Sequence, residues 1–187
     1  MNQAQRLRLL QDTGRTVFSA GFLRRQWGMS SSTFAVTVKR MVDSGTLVRL
    51  SRGLYALSEN YDIYEVANTL VTPSYVTFNS GLVYHGVAFQ GVGEIESAAN
   101  FGYENIIDGR RYMYYKIKQS LLYDTDGLIT SGVITVASPE RAILDCWYIG
   151  VTPDLDNEEK IHRSRLKALA SKYPSRVWNE VQEFLKK

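Results

Sequence analysis

The most constraining stretch of this chain is its first 60 residues, where glycines punctuate short helical patterns and the hydrophobic period then changes. Gln3 to Asp12 predicts a first helix, with Leu7, Leu10 and Leu9 as its apolar stripe and Gly14 as its stop. Ser19 has the chemistry of an N-cap for a second helix that ends at Gly28. After a short turn through Met29 and three serines, a third helix is predicted from about Ser31 to Asp43, ended by Gly45. From Thr46 the period becomes two. Thr46 to Leu50 and Leu54 to Leu57 read as strands around Ser51-Arg52-Gly53, where glycine supplies the positive φ of a tight hairpin. Two short helices across a glycine-containing turn, followed by a hairpin, form a winged helix-turn-helix pattern.

The third helix has two unlike faces. Phe34, Val38, Met41 and Val42 fall within about a third of its circumference at 3.6 residues per turn and are predicted to face the core. Ser31, Ser32, Thr33, Val36, Lys39 and Arg40 supply a small, polar and basic outer surface with no acid before Asp43. Small residues let a helix sit deep in the major groove, hydroxyl and methyl groups read base edges, and cations reach guanine or phosphate. Arg49 and Arg52 belong to the hairpin, with Arg52 at its tip, placed for sugar-phosphate or minor-groove contact. These eight residues are the predicted DNA-binding set; the alternative for each is an ordinary solvated face.

Charge supports the division. Residues 1–60 hold nine Lys/Arg against three acids, a net +6, while residues 61–187 hold 13 against 16, a net −3. A basic module on a mildly acidic remainder is the expected footprint of a DNA-binding domain joined to a different one. The predicted fold class is α+β, with a winged helix over residues 1–59 and a mixed α/β domain over 60–187. The second domain reads as a helix over Asn60–Val71, a short strand at Tyr75–Phe78, a helix from Asn79, and a glycine-rich loop with Gly86, Gly91 and Gly93. Strands follow at 94–101, 111–117, 127–130 and 133–136, with the stretch through Asn105, Asp108 and Gly109 read as a loop. Ser138-Pro139-Glu140 begins a helix with a serine cap and a proline in its first turn. Two helices, 157–172 and 174–184, complete the reading.

Catalytic patterns are scarce. His85 and His162 are far apart, Cys146 stands alone, and Gly91-Val92-Gly93 lacks the glycine and lysine of a phosphate loop. Asp124 with Asp126, and Glu94 with Glu96, have a spacing that places two carboxylates on one side, but a turn accounts for Asp124-Thr125-Asp126-Gly127. Tyr112, Tyr114 and Tyr115 alternate faces of a strand, as core residues or as a binding surface. No enzyme, cofactor or metal is expected. The polar N-terminus, the single cysteine and the lack of a long apolar run give a cytoplasmic expectation.

Three segments in order carry a resemblance: Arg52-Gly53-Leu54-Tyr55-Ala56-Leu57; Thr72-Pro73-Ser74-Tyr75-Val76 followed by Ser80-Gly81-Leu82-Val83-Tyr84-His85-Gly86; and Ala137-Ser138-Pro139-Glu140-Arg141-Ala142-Ile143-Leu144-Asp145. Together they resemble the AbiEi-type antitoxins of type IV, abortive-infection toxin–antitoxin systems. The resemblance implies a winged helix that binds inverted repeats of double-stranded DNA in its own promoter and represses transcription. It also implies a C-terminal domain that counters a nucleotidyltransferase-like toxin without a stable complex. Arg141 and Asp145 are the antitoxin-motif candidates, because they sit in the matching segment; the alternative is an intrahelical i, i+4 ion pair. The competing reading of the whole is a stand-alone winged-helix regulator whose second domain senses a ligand or dimerises.

Overall fold

Side-chain oxygens start the first three helices where the backbone would otherwise leave N–H groups unpaired. In the computed structural model, which describes residues 1–89 and 93–186, α1 (Gln3–Gln11) opens with a reciprocal capping box between Asn2 and Gln5. α2 (Ala20–Trp27) is capped by Ser19 and closed by Gly28 at φ 61°; α3 (Ser31–Asp43) is capped by Ser30. β1 (Val17–Ser19), β2 (Val48–Ser51) and β3 (Leu54–Ala56) form an antiparallel sheet in the order β1-β3-β2. This is the winged-helix arrangement, with Gly53 at φ 80° turning the hairpin. Leu10, Phe18, Leu23, Trp27, Phe34, Val38, Met41 and Leu47 make its core. Leu9, expected in the apolar stripe, is instead exposed. β1 has no counterpart among the expected elements, because Val17 and Phe18 are both fully buried and show no alternation.

The chain divides into two compact units, residues 1–70 and 71–187. α4 (Ile63–Leu70), read from the sequence with the second domain, belongs to the first unit. Its Glu65 is buried, and the carboxylate accepts hydrogen bonds from Thr16 N (2.8 Å) and Thr16 Oγ1 (2.6 Å). Asp62 Oδ1 caps the helix by accepting from Tyr64 N and Glu65 N. The buried carboxylate thus tethers α4 to the residue just before β1.

The second unit is a six-stranded mixed sheet with helices packed on it. Its elements are β4 (Ser74–Val76), α5 (Phe78–Tyr84), β5 (Glu94–Ala99), β6 (Tyr103–Ile107), β7 (Arg110–Lys116), α6 (Gln119–Leu122), β8 (Leu128–Ser131), β9 (Ile134–Ala137), α7 (Pro139–Ile149), a 3-10 turn (Glu158–Lys160), α8 (Arg163–Ala170) and α9 (Ser175–Lys186). The strand order is β6-β7-β5-β4-β9-β8. Residues 103–107 are a strand rather than the expected loop. Asp108 and Gly109, at φ 49° and 75°, turn the chain into a β6–β7 hairpin, a conformation that Asp-Gly pairs favour. The helix expected over 157–172 is broken: Ile161 is extended and buried, so the chain leaves the 3-10 turn before α8 begins. Within the glycine-rich loop, Gly91 and Val92 lie outside the described residues.

Tyr75, Ala98 and Ala137 from the sheet pack with Phe78, Leu82, Ile143, Leu166, Val177 and Val181 from the helices. α5 and α7 approach closely because Gly81 faces Ala142; a Cβ on Gly81 would lie 3.3 Å from the Ala142 Cβ. Gly127 is more constrained. It has φ 75°, and a Cβ there would meet Arg141 Cβ and Leu169 Cδ1, each at 3.1 Å. Gly127→Ala is therefore expected to cost about 1–3 kcal/mol. Thermal unfolding beside Gly132→Ala tests this, since Gly132 also has positive φ (59°) but open space around it. A Gly127 loss no larger than the Gly132 loss would leave backbone strain as the whole effect.

Candidate nucleic-acid interface

The α3 N-terminus is prepared by hydroxyl chemistry. Ser30 Oγ caps Thr33 N, and Arg24 Nη1 on α2 donates to Ser31 Oγ at 2.9 Å. Arg24 therefore joins the two helices across their turn, a role the sequence reading missed although Arg24-Arg25 in the last turn of α2 carried the signal. With Phe34, Val38 and Met41 buried, the opposite side of α3 is turned outward. Ser31, Ser32, Thr33, Val36, Lys39 and Arg40 are all exposed, with Val36 at 52%. Arg49 and Arg52 on the hairpin are exposed as well. Among the described residues, Arg40 and Arg52 have no ion-pair partner; Arg49 Nε donates to Ser51 O.

The outer face also carries an acid. Lys39 Nζ donates to Asp43 Oδ2 at 2.7 Å, one helical turn on, and both side chains are exposed. The predicted cation is thus already partnered within α3. A cleft of about 380 Å³ runs between α3 and the hairpin. Phe34, Ala35, Val38, Val42 and Tyr55 give it apolar walls, and Lys39, Asp43 and Arg49 line it with charge.

In the second unit, Arg141 and Asp145 are both buried, at 2% and 0% exposure. They do not form the simple i, i+4 pair of a solvated helix face. Asp145 Oδ2 accepts from Tyr75 Oη (3.0 Å) and Thr77 Oγ1 (2.8 Å), and Oδ1 accepts from Tyr173 Oη (2.7 Å). Arg141 donates to Tyr75 Oη and to the carbonyls of Leu121, Asp124 and Asp126, with its guanidinium over the Tyr75 ring. Tyr75 stands between the two. Burial pushes the Asp145 carboxyl above the usual carboxylate range, against the opposing effects of Tyr173, Arg141, Thr77 and Tyr75.

The acidic pairs weighed from the sequence, Asp124 with Asp126 and Glu94 with Glu96, are engaged in structure. Lys172 sits between the carboxylates of Asp124 (2.6 Å) and Asp126. Glu96 accepts from Asn79 N, while Glu94 lies 3.8 Å from Arg111. Among the described residues, no group of three or more His, Cys, Asp or Glu side chains is arranged to hold a metal. His85 Nε2 lies 2.9 Å from Ala137 O, and Cys146 is buried. Tyr112 and Tyr114 are buried, and Tyr115 packs edge-on against Phe78. No described helix is long and apolar enough to cross a membrane.

The buried network makes two predictions. Asp145→Ala is expected to cost about 3–5 kcal/mol, since it leaves three hydroxyls without their acceptor and removes the buried negative charge near the Arg141 guanidinium, which keeps its own hydrogen bonds. Tyr173→Phe removes one charge-assisted bond, worth about 1.5–3 kcal/mol. Urea unfolding of both variants checks the order. Because the folded-state pKa of Asp145 is raised, the folded protein holds this proton more tightly than the unfolded chain. Its contribution to stability is therefore greatest at low pH and declines as pH rises from the ordinary carboxylate value through the raised one. Asp145→Asn lacks that dependence, so the melting temperature of the unaltered protein relative to this variant should rise as pH falls. A constant difference would be the contrary result.

The comparisons with known proteins bear on the first unit. No curated protein matches the chain. Residues 5–58, from α1 through the hairpin and the two residues after it, match the family model described as transcriptional regulator, AbiEi antitoxin, the same family that the ordered sequence segments resemble.

Proposed function

We propose that this protein is a DNA-binding antitoxin that represses transcription of its own operon and counters a nucleotidyltransferase-like toxin. The observation that carries the reading is the outward surface of α3 and the hairpin: small and hydroxyl side chains flanked by Arg40 and Arg52, both exposed and neither in an ion pair among the described residues. The match of residues 5–58 to a transcriptional-regulator antitoxin family supports it. In this reading α3 enters the major groove of an inverted repeat, with Ser31, Ser32, Thr33 and Val36 facing base edges. Lys39, Arg40, Arg49 and Arg52 then neutralise phosphates, and one sugar-phosphate strand lies along the cleft between α3 and the hairpin. Arg141 and Asp145 serve the antitoxin-motif segment by fixing its shape, since both are buried.

The test is a salt-titrated binding assay with the DNA upstream of the protein's own gene. Selective binding is expected, and Arg40→Ala/Arg52→Ala should lower the salt slope by about 2, roughly one for each phosphate no longer neutralised. Asp43→Asn should act in the opposite direction, raising affinity by freeing Lys39 from its partner. Weak, unselective binding that neither variant alters would overturn the repressor reading. Co-expression with the product of an adjacent nucleotidyltransferase-like reading frame tests the second role. Rescue of growth supports antitoxicity; selective binding without rescue leaves a regulator alone.

A further inference from the structure

A second groove, of about 340 Å³, opens in the C-terminal unit, away from every residue assigned above. Its apolar lining comes from Trp147 at the end of α7, Pro153 and Leu155 in the following segment, and Phe184 of α9. Trp147 and Phe184 pack together with ring centroids 6.0 Å apart. Glu158, Glu180 and Glu183 complete the lining. The volume is at the small end of ligand-sized clefts, suited to one or two anchoring side chains rather than to a large cofactor.

The charges around this groove are not balanced from within. Several cations of this unit have other partners, while Lys186, three residues after Glu183 on α9, forms no ion pair among the described residues. Lys160 donates to the carbonyls of His85 and Gly86, Arg163 lies over Phe184 and reaches Leu185 O, Arg165 approaches Glu140, Lys172 holds Asp124 and Asp126, and Arg176 bonds Tyr148 O. Glu158, Glu180 and Glu183 are exposed and, among the described residues, have neither ion pair nor hydrogen bond through their carboxylates. Glu183 lies in the last turn of α9, where the helix dipole disfavours anions, and Glu180 repels it at i, i+3. The three carboxylates face solvent around an apolar floor, a surface complementary in charge to a basic segment with an apolar anchor.

We propose that this groove docks a basic segment of a partner protein, with an aliphatic or aromatic anchor between Trp147, Leu155 and Phe184 and flanking Lys or Arg side chains on Glu158, Glu180 and Glu183. Apolar burial at the centre supplies affinity, and the acidic rim supplies orientation and selection against acidic segments.

The experiment uses the full chain and a fluorescently labelled model peptide of alternating leucine and lysine, with its leucine–glutamate counterpart as control. Fluorescence anisotropy is expected to show binding of the lysine peptide, weakening as salt rises, and no binding of the glutamate peptide. Glu180→Lys/Glu183→Lys should lower affinity roughly tenfold or more, and Glu180→Gln/Glu183→Gln by less. All four substitutions are at exposed positions, and circular dichroism confirms that the variants fold. Trp147→Phe should remove a change in tryptophan emission that accompanies binding. The proposal is overturned if the lysine peptide does not bind, if both peptides bind alike, or if charge reversal leaves affinity unchanged.

Discussion

A carboxylate with no exposed surface organises the second unit. Asp145 could not remain charged in an apolar interior without donors, and three hydroxyls from three separate elements supply them: Tyr75 on β4, Thr77 at the start of α5, and Tyr173 between α8 and α9. Each donor is reached only when its element is in place. One acid therefore specifies how strand, turn and C-terminal helices meet. Arg141 extends the same constraint outward. Its guanidinium gathers the carbonyls of Leu121, Asp124 and Asp126, so the segment between α6 and β8 follows the position of α7. Lys172 then clasps that segment from the surface. Packing complements this network, since Gly81 lets α5 approach α7 and Gly127 lets the loop lie against Arg141.

The winged helix is stabilised by simpler means. Caps at Asn2, Ser19 and Ser30 set the helix starts, and eight buried apolar side chains fill the space between them. These are local rules, which is why this region is the easier one to read. The 3.6-residue period places Phe34, Val38 and Met41 inward, and the outer face follows by subtraction. What escapes is β1, too short and too deeply buried to alternate, and Glu65, an acid on the buried side of an otherwise apolar helix pattern. Its partner, Thr16, is 49 residues distant, a separation over which periodicity carries no information.

In the second unit, sequence shows the α7 cap at Ser138 and the approximate strands, but not their order. β5 and β7 pair in parallel, with β6 on the far edge of β7, and nothing local specifies that crossover. Asp108-Gly109 does carry a hairpin signal, masked because Tyr103 to Ile107 lacks a clean apolar alternation. Arg141 and Asp145 are singled out through their segment, while the buried network they join stays hidden. Spacing alone suggests a pair with each other, whereas Tyr75, 66 residues from Arg141, separates them. The Trp147–Phe184 groove is illegible for the same reason, since its walls come from distant elements and its acids look like solvated surface.

The Lys39–Asp43 pair makes Lys39 an exchange site on the outer face of α3, beside the exposed Arg40, which is in no ion pair among the described residues. Both side chains are exposed, so the pair is worth only about 0.3–0.5 kcal/mol, and an anion that takes Lys39 still meets the charge of Asp43 one turn away. A single stray phosphate gains little from that swap. In the proposed complex, a regularly spaced row of phosphates would engage Arg40, Arg49 and Arg52 at the same time and offset that repulsion through its other contacts. On the proposed reading the acid acts as a mild internal competitor, weighing against isolated anions more than against an ordered row of them.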